Sequence, residues 1–298
     1  MTFRPGAVIR TSRVGRVGHL GPTLTSGQPI TGSGANKQRA WDEVYVDMVK
    51  TNLLSDCTTD LDHARLLAAF DQHSADWLHA LPLSSCGLFL DNEAIRIAVA
   101  LRLGATMCLP HDCQCGQTID ALGLHCFSCL KNSGKHTRHS ILNDIVWRTM
   151  TRAKIQSIKE PLCLDNNGKR PDGASLIPWQ RGKCVTWDVT VTDTYARSYI
   201  AQTKVRAGAA AERAAVNKTN KYNYLLSNYI FIPLACEISG VWCVEGIDFL
   251  NELGRRTSLV TGDKNETHYL FQRLSVAIQR GNAACFCGCF PIVDICDD

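Results

Sequence analysis

Helical periodicity fills the chain from Trp41 to Gly104. Asp60 or Asp62 is placed to cap a helix whose apolar side carries Leu66, Leu67, Phe70, Trp77 and Leu78. A second helix is expected over about Glu93 to Leu103, with Ile95, Ile97, Val99 and Leu101 as core positions. From Arg138 to about Lys154, Ile141, Leu142, Ile145, Val146 and Met150 form another apolar stripe, and His139 and Asn143, at i and i+4, share the other side. The period then changes. Cys184 to Val191 is β-branched and aromatic and reads as a buried strand, and Tyr229 to Cys236 as a second one that Pro233 confines to an edge or cuts short. Between them Ala207 to Leu226, alanine-rich and nearly free of breakers, predicts a long helix. Glu245 to Leu253 and Thr267 to Gln279 complete the helices, with Gly254 and Gly281 as stop signals. The mixture predicts an α/β core, helices flanking a small central mixed sheet.

Residues 1–40 follow neither period. They carry Arg4, Arg10, Arg13, Arg16, Lys37 and Arg39 and no acid, and read as a disordered basic arm, a linker with at most weak phosphate contact. Trp41 to Met107 is acidic by contrast. A length of 298 residues suggests one large or two modest domains, and 45% hydrophobic with 20% charged residues is ordinary for a soluble globular protein. The net charge of +4 is too small to point to a partner. No apolar run approaches the roughly 20 residues of a membrane span, and the start lacks the apolar core of a secretory signal, so no membrane partner is expected. In such a chain fifteen cysteines favour metal binding or buried thiols over disulfides, and a reducing compartment, nuclear or cytoplasmic.

Four of the candidate ligands cluster over 108–137. Cys113, Cys115, His125 and Cys129 give a Cys-Cys-His-Cys order in which Gly116 and Gly123 let the loop turn, as a structural Zn²⁺ site needs. Cys126 or His136 is an alternative to one of the four. The last cysteines, Cys285, Cys287, Cys289 and Cys296, read as idle thiols of a frayed tail over 283–298 rather than as a second metal site.

The second candidate site is acidic. Arg170-Pro171-Asp172-Gly173 is a turn signal that presents a carboxylate. Asp188 stands inside a buried strand, where a carboxylate is costly unless paired or metal-bound. If the two segments pair as neighbouring strands, the aspartates meet at one end of the sheet and form a hard-oxygen site of the kind Mg²⁺ prefers. Lys218, Lys221 and Tyr222, at i, i+3 and i+4, share one face of the helix that follows. Two acids and then a lysine suit phosphodiester hydrolysis, the lysine steadying the developing charge. The plainer reading makes Asp172 a turn residue and Asp188 a solvated strand residue. Lys131, Lys135, Arg138, Arg148, Arg152 and Lys154 crowd the helix region before this site; such runs are usually solvated, but beside a metal site they suit phosphates.

Arg170-Pro171-Asp172-Gly173, then Trp187-Asp188-Val189-Thr190-Val191, then Lys218-x-x-Lys221-Tyr222 resembles the C-terminal endonuclease of site-specific non-LTR retrotransposons, a branch of the PD-(D/E)XK restriction-endonuclease-like superfamily. The resemblance, over about Leu53 to Gly281, implies that Asp172 and Asp188 ligate Mg²⁺ or Mn²⁺. It makes Lys218 the catalytic lysine, displaced onto a helix because Thr190 occupies the usual strand position. Lys221, Tyr222, Arg138, His139 and Asn143 become auxiliary residues, and Arg138, Arg148, Arg152 and Lys154 the DNA contacts. The Cys-Cys-His-Cys order matches a zinc knuckle that precedes that nuclease, and the helical segment ending Leu101-Arg102-Leu103-Gly104 its connector. The organisation expected is then an arm (1–40), a helical connector (41–107), a zinc knuckle (108–137), a restriction-like endonuclease domain (138–282) and the cysteine-rich tail. No aspartate pair in a Tyr-x-Asp-Asp setting marks a reverse transcriptase. The activity implied is metal-dependent cleavage of DNA by a retrotransposon-derived protein, with RNA of a parent element as a further partner. Its rivals are a non-catalytic, zinc-stabilised nucleic-acid-binding module, a decayed element fragment, or a zinc-stabilised scaffold.

Overall fold

The computed structural model describes residues 38–162 and 170–290, so most of the basic arm expected over 1–40 lies outside the described residues. The chain divides into two units, 1–51 and 52–298; of the first, the part described is the opening of helix α1 (Gln38–Ser55).

In the second unit Thr59, rather than Asp60 or Asp62, caps α2 (Asp60–Phe70). Its hydroxyl oxygen accepts the Asp62 amide at 3.0 Å and its proton goes to the Asp62 carboxylate at 2.8 Å. Both acids then sit in the first turn, where the helix dipole favours negative charge. The helix stops at Phe70, Trp77 falls in a 3₁₀ turn (Asp76–His79) with its ring buried, and Leu78 is exposed. In α3 (Asn92–Leu103), capped by Asp91, Ile97 and Leu101 enter the core, whereas Ile95 and Val99, expected there too, face outward. A hairpin, β1 (His111–Asp112) and β2 (Thr118–Ile119), and the short α4 (His125–Ser128) lead to α5 (Gly134–Arg152).

A four-stranded mixed sheet follows: β3 (Ser157–Lys159), β4 (Gly173–Ser175), β5 (Cys184–Thr192) and, after α6 (Ile200–Thr203) and α7 (Ala209–Lys221), β6 (Tyr229–Glu237). The first three strands pair antiparallel and β5 pairs parallel with β6, in the order β3-β4-β5-β6. Pro233, opposite Asp188, therefore lies in an edge strand, where a missing N–H is tolerated. Leu176 and Ile177 fall beyond β4 and are largely exposed. Period-two alternation sends Val185, Trp187 and Val189 into a cluster with Leu142, Val146 and Met150 of α5, and turns Thr186 and Asp188 to the face that α7 borders.

Two further helices, α8 (Val244–Thr261) and α9 (Glu266–Cys287), complete the unit, and both run through the glycines expected to stop them. A Cβ at Gly254 would lie 2.4 Å from Thr267 Oγ1, and one at Gly281 2.5 Å from Arg138 Cγ. These glycines let helices approach closely; they do not end them. Through them α9 reaches both main apolar clusters, giving Leu270, Leu274 and Ile278 to the sheet core and Val276, Ala283 and Phe286 to a second core around Ile97, Ile119 and Phe127. Cys285 and Cys289 are buried in that second core, so the start of the expected tail is packed helix; residues 291–298 lie outside the described residues.

Gly254→Ala and Gly281→Ala should each lower stability by about 1–3 kcal/mol in urea denaturation, the cost of overpacking. A gain of about 1 kcal/mol, which helix propensity alone would give, would mean that the glycines are not contact positions.

Candidate functional site

The cysteine cluster is built by a tight hairpin and one turn of helix. The Cys113 amide donates to the Gln117 carbonyl and the Gly116 amide to the Cys113 carbonyl, both at 2.8 Å, and Gly116 supplies the left-handed residue (φ 88°) that this turn requires. The hairpin carries Cys113 and Cys115; His125 opens α4 and Cys129 follows its end. The four ligand atoms lie within 4.8 Å of one another, with Cys113 Sγ 3.6 Å from Cys129 Sγ and Cys115 Sγ 3.2 Å from His125 Nε2. A tetrahedral zinc with Zn–S of about 2.3 Å has S···S edges of about 3.8 Å, so this Cys₃His set can hold a metal such as zinc. Burial opposes ionising Cys113, yet hydrogen bonds from the Cys115 backbone and from the side chains of Cys115, Cys129 and His125 bring its thiol down to about 6. Cys126 and His136, the alternatives, are not among the four. Cys126 is buried beneath the cluster, and burial pushes its thiol up.

Asn132, which sequence reasoning passed over, ties this module to the last helix. Its amide group faces the Cys126 carbonyl at 3.1 Å, the Cys289 thiol at 3.1 Å and the Cys285 carbonyl, while its Oδ1 accepts the Gly134 amide at 2.8 Å.

The acidic cleft begins with the register of β4 and β5. Gly173 faces Trp187, and continuing that antiparallel register sets Asp172 opposite Asp188. Gly173 is needed because the Trp187 indole covers it: a Cβ there would lie 2.0 Å from Trp187 Cζ2. The same indole donates to Asn143 Oδ1 at 2.9 Å, and Asn143 Nδ2 donates to the Asp172 carbonyl at 3.1 Å. Tryptophan, asparagine and aspartate backbone thus fix where the Asp172 side chain emerges. Among the described residues, the hydrogen bonds on that carboxylate fall on Oδ2, from the Val189 amide at 2.6 Å and His139 Nε2 at 2.8 Å. The bond to Asp172 raises the His139 pKa against the opposing effect of burial.

Asp188 is only 3% exposed. Lys218 Nζ, one side of α7, stands 2.5 Å from its Oδ1, an ionic contact that leaves this oxygen without a well-directed hydrogen bond. Its Oδ2 faces the Tyr222 hydroxyl at 2.7 Å; that hydroxyl also lies 2.7 Å from the Arg170 carbonyl and accepts from Lys221 Nζ at 2.9 Å. Burial first, and then the bond to Asp188, pushes the Tyr222 phenol far up, so it stays protonated and can donate. Glu237, a buried acid not singled out from sequence, accepts the Ala210 amide at 3.0 Å and anchors the start of the helix that carries Lys218.

The α5 cations do not join the cleft. Arg138, expected as an auxiliary and DNA-contacting residue, is buried against Gly281 with Nη1 donating to Asn282 Oδ1 at 2.7 Å, because the close passage of α9 covers it. Arg148 pairs with Asp144 at 2.5 Å and Arg152 with Glu266 at 2.5 Å. Both lie about 14–20 Å along the helix from His139 at 1.5 Å per residue, and Lys154 is exposed just past the helix end. No family model and no curated protein matches the chain.

Purified protein should carry one zinc per chain by metal analysis. Stripping it with a chelator should expose 108–137 to protease and lower the melting temperature, since Ile119 and Phe127 belong to the core shared with α9. Substoichiometric metal together with an unchanged protease pattern would refute the site.

Proposed function

We propose that the chain is a metal-dependent endonuclease that hydrolyses DNA phosphodiester bonds, related to the retrotransposon branch of the PD-(D/E)XK nucleases. The observation that carries this reading is the register of β4 and β5, which sets Asp172 opposite Asp188, with a lysine from the following helix on the buried acid. The small mixed sheet flanked by helices is consistent with it. So is the donor set: two carboxylates are hard oxygen ligands. Asp172 and Asp188 would hold the Mg²⁺ or Mn²⁺ ion, whose chemistry when bound is to polarise the phosphate and activate water.

The remaining residues prepare the two acids and receive charge. Lys218, its ammonium at the carboxylate, is positioned to turn to a phosphate oxygen and stabilise the charge that develops there. His139 fixes one Asp172 oxygen, so the other stays oriented to the cleft. Tyr222, held by Lys221, fixes Asp188 Oδ2, and Asn143 holds the β4 backbone in place. The Cys₃His module stabilises the core on which α5 and α9 rest.

Incubation with supercoiled plasmid and Mg²⁺ or Mn²⁺ tests this. Wild type should nick or linearise it, Asp172→Asn and Asp188→Asn should fall to background, and Lys218→Ala should lose about 10²–10³-fold in rate. Affinity of the aspartate variants for DNA should hold or rise, a charge repelling phosphate having gone. Tight binding with no cleavage in either metal would replace the nuclease with a non-catalytic nucleic-acid-binding module.

A further inference from the structure

Of the α5 arginines Arg138 is buried and Arg148 and Arg152 are paired with acids away from the cleft, yet a polyanion lying over the cleft needs positive charge beside it. The chain from Tyr195 to Tyr222 supplies it: Arg197, Lys204, Arg206, Arg213, Lys218 and Lys221 against one acid, Glu212. One carboxylate oxygen of that acid accepts the Val244 amide at 2.8 Å at the start of α8. Lys204 is taken by Asp60 at 2.9 Å and Lys218 by Asp188. Arg197 and Arg206 are exposed and, among the described residues, enter no ion pair.

Arg213, Asn217 and Lys221 stand at i, i+4 and i+8 on α7, all exposed, in a single stripe that ends beside Tyr222 and therefore beside Asp188. Arg213 is held in place: its guanidinium lies 5.5 Å from the Tyr199 ring centroid and donates to the Ser198 carbonyl at 3.4 Å. Arg206 and Arg213 both border a shallow groove with Gln202, Val216 and Glu212, the carboxylate of the last being engaged by the Val244 amide. Such a stripe, cationic with one amide, suits successive phosphates. Along the helix it spans about 12 Å from Arg213 to Lys221 at 1.5 Å per residue, long enough to meet more than one phosphate of a strand.

We propose that this flank, Arg197, Arg206, Arg213, Asn217 and Lys221, grips the phosphate backbone of duplex DNA lying across the cleft. The proposal rests on the nuclease reading for its choice of DNA. The contact is to phosphates and carries no sequence preference.

Fluorescence anisotropy without added Mg²⁺, using two duplexes of unrelated sequence and an RNA hairpin of equal length over a salt series, tests it. Arg206→Glu/Arg213→Glu should lose about tenfold or more in duplex affinity per contact near 0.1 M salt, equally for both sequences, and its salt slope should fall by about two. Arg206→Gln/Arg213→Gln should show a smaller loss of the same kind, and Arg255→Ala, an exposed paired arginine of α8, none. Melting temperatures of the variants should match wild type, so that lost binding is not lost folding. Unchanged duplex affinity and slope would overturn the proposal, as would a wild type that prefers the RNA hairpin. If the duplex binding responds as expected but the wild type never cuts plasmid, the grip stands and the nuclease reading falls. If the wild type cuts and the variants bind as tightly as it does, the grip falls and the nuclease reading stands.

Discussion

Much of the sheet's architecture follows from one buried carboxylate. Asp188 sits in the middle of a strand whose neighbours are hydrophobic or hydroxylic, where an unpaired charge would cost several kcal/mol. The protein meets that cost with a lysine and a phenol from α7 and its end. The helix must therefore lie close enough for Lys218 and Tyr222 to reach one strand position. Four alanines, at 210, 211, 214 and 215, let it lie there, and Glu237 fastens its first turn. Had the helix been faced with larger side chains, it would stand off the sheet and leave the acid stranded.

The second constraint is the indole of Trp187, one residue earlier and on the opposite face. It fills the core under α5, removes the side chain from position 173, and fixes Asn143, which fixes Asp172. The two acids are thus governed from two sides of one strand, one by charge compensation and the other by packing.

This division explains what was legible beforehand. An acid interrupting a β-branched run is a local anomaly, and so is a lysine four residues before a tyrosine on an alanine-rich helix; both are visible without coordinates. The edge position of β6 was likewise readable, because Pro233 lacks a donor. Gly173 was visible but for another reason than its true one: Pro-Asp-Gly signals a turn, while the residue is in a strand and yields space to an indole. Gly254 and Gly281 misled in the same way, since a helix contact partner more than ten or a hundred residues distant leaves no mark on the local pattern. Arg138 was read as a surface cation because its burial depends entirely on α9, and Thr59 lost the capping position to its acidic neighbours because all three residue types favour that place. Cys285 and Cys289 resemble a frayed end in sequence; only the core formed with Phe127 and Asn132 makes them interior.

The last helix has a consequence for how the chain is made. α9 contributes to the sheet core and to the core beneath the cysteine cluster alike, so neither is complete while the ribosome still holds its residues. The parallel pair of β5 and β6 must also wait for the crossover between them, whereas the cysteine hairpin closes over fewer than twenty residues. The cysteine ligands are thus close in sequence, while the core beneath them and the sheet core both depend on the distant α9. The two cores therefore close together, when α9 docks between them, rather than one after the other along the chain.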